Sequence, residues 1–262
     1  MKKNFLILIC LIICFSLSDV SFAQEKPPVA DTAKSEEKVA EALAKAKTLL
    51  LAARKAKSDI ALDQVKDITI TSDAQITIQG QTLDVTNKTT IKFPNKVLTV
   101  VLGPFGEIKN CYNGEFAWVK TPGGVQELVG DNTIEFQNAI AGDPISILRD
   151  FDKPDCRAEF IGETSWEGQT VNSILFTTSI GHEIKLYIDP KTNHIIGKSY
   201  ESKVGENTFT NEDVFSNFQT FKGVQVPMKR VLKRNGELFA ESIVKEVVIN
   251  SGVEDKIFAK PQ

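Results

Sequence analysis

Through most of the chain apolar and polar residues alternate at period two, and a turn signal closes each run. Val65 to Phe93 holds two long runs around Gly80, ITITSDAQITIQ and TLDVTNKTTIKF, rich in Thr, Ile and Val. This is the pattern of half-buried strands. From Ile91 to Leu128 four short β segments follow, closed at Pro94-Asn95, Gly103-Pro104, Asn113-Gly114 and Pro122-Gly123-Gly124. Asn-Gly predicts a type I′ hairpin turn, whose two central residues both need positive φ. Strands joined this closely pair antiparallel, so the segment predicts a meander. After Arg157 the alternation resumes in RAEFIGETSWEG and TVNSILFTTS, separated at Gly168-Gln169, and in HEIKLYIDP, which ends in a turn at Asp189-Pro190. HIIGKSYESK, TFTNEDVFSNFQTF, VQVPMKRVLKR and ELFAESIVKEVVIN complete the series, with a second hairpin signal at Asn235-Gly236. Polar alternation of this kind fits a sheet that is wet on one side. Ile257-Phe258, just before Pro261, is expected to pack the tail down.

The period changes to that of a helix in two places. Val39, Leu43, Ala46, Leu50 and Ala53 form one stripe, with Ser35 as the expected N-cap and Arg54, Lys55 and Lys57 at the far end. Charges fill the other faces, so the stripe should lie on the sheet; a helix in peripheral contact with a membrane surface is the alternative, against which the many Ala among the helix's apolar residues argue. Between Asp131 and Phe151 the residues Phe136, Ile140, Ile145, Leu148 and Phe151 are spaced for two short helices meeting at Gly142, with Asp143 as cap and Pro144 at the first helical position. A break of this kind between two halves of a sheet reads either as a movable lid or as a fixed plug. The class is mainly β (α+β), with about eleven to thirteen strands, too many for an open sheet that does not curl. The sheet must close, half close or split into a sandwich.

The first residues change the cellular picture. Lys2 and Lys3, the apolar run Phe5 to Phe15 and Ser21-Phe22-Ala23 predict a secretory signal peptide, 1–23, cut before Gln24. The run is too short to span a bilayer. Leu11-Ile12-Ile13 before Cys14 lacks the small residues of a lipid-attachment signal, which predicts an exported, unanchored protein. Residues 24–34, with Pro27-Pro28, read as a tether, and 35–262 as one domain. Removing 1–23 takes the net charge from −3 to −4, and no basic run remains, which argues against nucleic acid. Cys111 and Cys156 remain; in an oxidising compartment they are either a disulfide or two separately buried thiols.

Candidate chemistry is sparse. His182 and His194 begin neighbouring strands without clustered ligands, so no metal is expected. There is no phosphate loop, no Gly-x-Ser-x-Gly elbow and no paired-histidine motif. No catalytic residue, cofactor or enzymatic activity is therefore expected. What remains is apolar material, including sixteen Phe. Phe116 and Trp118 share one strand face, and Leu186 and Ile188 share another. They form either a core under the helices or a concave apolar pocket.

The order of these features resembles the superfamily of periplasmic lipoprotein carriers typified by the sorting proteins LolA and LolB. The matching features are the N-terminal helix, the strand ending IKFPNKV, then NGEFAWVKTPGGVQEL, the helical interlude, LYIDPKTNHIIG, and the ending GVQVPMKRVLKRNGELFAESIVKEVVIN. The resemblance implies an incomplete antiparallel β-barrel of about eleven strands with helices closing its mouth. It implies a periplasmic, non-enzymatic carrier for a lipid or acylated protein, or a module binding other envelope proteins. It places Phe116 and Trp118 in the cavity wall with Phe93, Leu98, Val100, Leu186 and Ile188, and makes Phe136, Ile140, Leu148 and Phe151 the lid. Sorting carriers have an arginine before the proline matched by Pro94, which latches the lid. Here that residue is Phe93.

Overall fold

The structure, a computed structural model, describes residues 32–78, 80–204 and 207–261. The expected signal peptide and the tether through Asp31 lie outside the described residues. Helix α1 (Thr32–Lys57) begins ahead of Ser35, which is therefore inside the helix and not its cap. Six strands follow: β1 (Asp67–Ile78), β2 (Gln81–Lys92), β3 (Lys96–Gly103), β4 (Gly106–Tyr112), β5 (Ala117–Thr121) and β6 (Gly124–Leu128). Then come α2 (Asp131–Ala141) and α3 (Pro144–Asp150). The chain continues through β7 (Arg157–Trp166), β8 (Gln169–Thr177), β9 (Glu183–Ile188), β10 (Ile195–Val204), β11 (Asn207–Phe221), β12 (Val224–Arg234) and β13 (Glu237–Ile249).

All thirteen strands lie in one antiparallel sheet, in the order β6-β5-β4-β3-β2-β1-β13-β12-β11-β10-β9-β8-β7. It is not closed; β6 and β7 are its edges. Thirteen is the upper end of the eleven to thirteen strands that the alternation predicts. At the β12–β13 hairpin Asn235 and Gly236 have φ of 51° and 81°, the pair that the Asn-Gly signal predicts. At Asn113-Gly114 the expected two-residue turn does not form. The Asn113 side chain instead accepts hydrogen bonds from the backbone N–H of Glu115 and Phe116, which opens the loop between β4 and β5.

The helices lie on one face of the sheet, here the inner face. The main core joins Ala46, Leu50 and Ala53 of α1 to Ile147 and Leu148 of α3 and to Ile174, Leu186, Ile188, Val224 and Ile249 of the sheet. Only the second half of the predicted α1 stripe is buried; Val39 is exposed. A second inner cluster sets Phe136 and Ile140 of α2 on Val97, Ile108, Ala117 and Val119.

On the outer face the C-terminal tail crosses β1 to β5. Wholly buried Asp67 holds its start, accepting from Ser251 N and Oγ, Gly252 N and Val253 N at 2.8, 2.8, 3.1 and 3.4 Å. Burial alone would raise the Asp67 pKa, but these donors outweigh it and hold the carboxyl below its ordinary range. A depressed folded pKa contributes stability above the unfolded value, lost as pH falls through the folded one. Tail anchoring is therefore expected to weaken below about pH 4. In a Trp166→Phe background the fluorescence of Trp118 should shift red in that range before far-UV dichroism changes, and Asp67→Asn should bring the shift to neutral pH. A Trp118 signal that stays fixed until global unfolding in both proteins would remove Asp67 as the anchor.

Candidate functional site

The α2–α3 elbow is made by Gly142 and Asp143. Asp143 Oδ1 accepts from Ile145 N at 2.8 Å, and Pro144 occupies the first turn, so the local sequence both ends one helix and begins the next. The elbow sits close on the sheet: a Cβ at Gly142 would come within 2.8 Å of Ile184 Cδ1. Lys198 Nζ, from β10, donates to the Gly142 carbonyl at 2.7 Å. Further along, Glu135 of α2 accepts from Lys203 N at 2.8 Å, and Gln137 donates to the Tyr112 hydroxyl at 2.9 Å. Arg54 of α1 donates through Nε to the Leu148 carbonyl and pairs with Asp152 at 3.1 Å. Arg149 donates to the Val65 carbonyl at 3.1 Å, and its guanidinium lies 4.8 Å from the centroid of the Phe93 ring. Both helices are thus fastened by polar groups. The position before Pro94 takes part as an aromatic support for Arg149.

Beneath the elbow lies a buried ion cluster. Asp213 of β11 is wholly buried. Its Oδ1 accepts from Arg230 Nε at 2.6 Å, and its Oδ2 lies 3.7 Å from Lys198 Nζ with no hydrogen-bond partner among the described residues. Burial lowers the pKa of the Lys198 ammonium, and Asp213 pulls it back up. Nearby, Arg234 donates to Asn211 Oδ1 at 3.2 Å and lies over the rings of Phe209 and Phe239 at 5.0 and 4.0 Å. His182 packs edge-on to Tyr200, and burial, helped by Lys198, lowers its pKa to about 4. That keeps the imidazole neutral at physiological pH. No group of three or more metal-ligating side chains occurs among the described residues.

Next to the cluster the inner face is not covered. A trough of about 150 Å³ lies across β1, β2, β3, β12 and β13, lined by Ala74, Ile76, Val85, Val101, Leu232 and Ala240, with Asn87, Arg230 and Ser242 as its polar members. Strand register explains this lining. Ala74 pairs with Val85 and Ser242, and Leu232 with Ala240, so the small and branched residues of one parity meet on one face.

The residues expected to line a ligand cavity fall into separate places. Leu186, Ile188, Leu148 and Phe151 are in the main core, with Phe93 packed beside it. Phe136 and Ile140 belong to the α2 cluster. Leu98, Val100, Phe116 and Trp118 are on the outer face. There Trp118 Nε1 donates to the Phe258 carbonyl at 3.0 Å, and Trp118 and Leu98 meet the tail. Leu98, Val100 and Trp118 border a groove under the tail. The expected wall thus divides between two faces, and none of its members lines the inner trough. Register is the reason: Cys111 pairs with Trp118 and Leu98 with Cys111, all pointing away from the helices. Of the two readings of the cysteines, the structure shows separate thiols and no disulfide among the described residues. Both thiols are free, Cys111 beneath the tail on the outer face and Cys156 against the main core. Lys198, Asp213 and Arg230 did not emerge from the sequence, although one signal was present. Phe209, Asn211, Asp213 and Phe215 share one parity of β11, so an amide and an acid stand in an apolar row.

No family model and no curated protein matches the chain in sequence. Solved structures do match its fold. A LolA superfamily protein from Nitrosomonas europaea superposes with a TM-score of 0.56 at 13% identity, over 82% of this chain and 97% of that one. A DUF1329 family protein from Desulfovibrio piger gives a TM-score of 0.56 at 15% identity over 82% and 97%. A domain described as an outer membrane lipoprotein-sorting protein domain, from Vibrio parahaemolyticus, gives 0.52 at 13% over 81% and 97%. The chain has the fold of the LolA superfamily.

Proposed function

We propose that this is a non-enzymatic, exported binding or carrier protein of the cell envelope, working in the periplasm on a lipid-like or acylated ligand held at the inner face of its sheet. The observation that carries this reading is the uncovered apolar trough beside helices fastened by a few polar contacts. Hydrocarbon buried there would contribute about 0.8 kcal/mol per CH₂ without directional chemistry. The likeness of fold to a lipoprotein-sorting domain supports the same reading.

The test is native mass spectrometry with lipid extraction on residues 24–262 purified from an envelope fraction. A bound lipid or acylated peptide is the expected result. A clean protein mass, unchanged after incubation with lipid and lipopeptide, would move the assignment to an envelope protein-interaction module. One observation favours that second reading: the trough, at about 150 Å³, is smaller than the 300–1,000 Å³ of a usual ligand pocket. On the carrier reading the α2–α3 helices must therefore move when a long chain enters.

A further inference from the structure

We propose that the trough takes a single-chain amphiphile with a carboxylate headgroup, and that Arg230 is the residue that recognises it. The proposal rests on the binding-protein reading above and specifies its ligand.

Arg230 is presented in an unusual way. Its Nε is committed to the wholly buried Asp213 at 2.6 Å, and this is the only hydrogen bond of the guanidinium among the described residues. Asp213 therefore fixes the plane of the group while leaving its Nη edge unused. Of the Arg230 side chain 46% is exposed, and it borders a trough whose other lining is mostly apolar. A half-exposed guanidinium facing bulk water would have no special preference. One held rigid at the end of an apolar surface is arranged for a planar anion that can accept two parallel N–H bonds. Pre-orientation by Asp213 removes part of the ordering cost of that contact.

The charges nearby agree. Within ion-pair distance Lys198 and Arg230 share one carboxylate, so an entering anion meets a cation pair that Asp213 only partly neutralises. Ser242 stands directly opposite Arg230 in the β12–β13 register, and Asn87 completes the polar end with neutral donors. From there the next inward-facing pairs along the strands, Ile76 with Leu83 and Leu232 with Ala240, give a hydrocarbon chain a path toward the hairpin tips. Size selects among acidic amphiphiles. At about 150 Å³ the trough lies below the range of a usual ligand pocket, which suits one chain better than the two of a glycerophospholipid.

The experiment is competition against a fluorescent fatty-acid probe at neutral pH, below micelle-forming concentrations, on residues 24–262. The competitors are hexadecanoate, its methyl ester, hexadecanol and phosphatidylglycerol. The expected result is that hexadecanoate competes about tenfold or more better than the ester or the alcohol, which differ from it mainly in charge. Arg230→Met should bring the acid down to the level of the ester, Arg230→Lys should keep part of the preference, and Arg234→Met, at a residue that does not line the trough, should leave it unchanged. Should Arg230→Met fail to fold, Arg230→Met/Asp213→Leu, which removes both charges, serves in its place. Equal competition by acid and ester on the unaltered protein overturns the proposal while leaving the carrier reading intact. Retained preference in the folded Arg230 variants, or phosphatidylglycerol competing as well as hexadecanoate, also overturns it. Absence of binding by every compound overturns both this proposal and the carrier reading.

Discussion

Trp118→Ala is expected to lower the unfolding free energy by about 3–5 kcal/mol, the range for removing a large aromatic from a packed core. Trp118 is 1% exposed and lies against Phe258, also 1% exposed, and Cys111. The substitution empties that space and removes the indole N–H from the Phe258 carbonyl, leaving it with only the weak donor Cys111 Sγ at 3.5 Å. Urea denaturation should give the loss directly. Phe258→Ala should cost a similar amount, and the double variant clearly less than the sum, because both substitutions open the same cavity. A ligand wall would behave differently. If Trp118→Ala left the denaturation midpoint unchanged and abolished lipid binding, Trp118 would belong to a binding surface and the tail would have to move to admit the ligand.

Asp213→Asn should cost about 3 kcal/mol, at the lower end for breaking a buried ion pair. The discount comes from Arg230, whose half-exposed side chain can turn toward water when its partner is gone. Lys198, 9% exposed at the side chain, cannot do so as readily. It is left with the Gly142 carbonyl and an amide in place of a charge. Asp213→Leu combined with Lys198→Met removes both buried charges and should recover most of the loss, a comparison that separates an uncompensated charge from a packing defect. Thermal or urea unfolding of the single and double variants reads the cycle. A loss below about 1 kcal/mol for Asp213→Asn would mean that water already reaches the cluster.

Local signals in the sequence carried much of the architecture. Asp143-Pro144 placed the elbow between the two short helices, since one residue caps and the next can only begin a turn. Asn235-Gly236 placed the last hairpin, because positive φ at both residues excludes most alternatives. The strands were legible from alternation, yet alternation alone does not say which parity faces the helices. Phe116 and Trp118 show the gap. They are as apolar as a cavity wall should be, but the Asn113 side chain shapes the turn ahead of them, and a tail from the far end of the chain covers them. The ion cluster was hidden for a related reason. Lys198, Asp213 and Arg230 come from three successive strands, and only the register of β10, β11 and β12 sets them side by side. The trough was equally out of reach, being space that the helices leave uncovered and not any run of residues.

The strand order has a consequence for how the chain reaches this state. Every neighbouring pair but one consists of strands consecutive in sequence; the exception is the seam where β1 meets β13, with Ile68 beside Ile249. Short-range pairings form quickly, and closure over a long separation comes late and at higher entropic cost. Two ribbons, β1–β6 and β7–β13, can therefore zip independently, and joining them at the seam is the slow, committing event. Helix α1 adds a delay of its own, since its buried stripe packs on residues as distant as Val224 and Val226. An emerging chain thus has α3 and β7 to cover part of its first helix by mid-chain, but the rest of the buried stripe waits for β12, and the unpaired edges of β1 and β13 are the surfaces most open to mispairing during that interval.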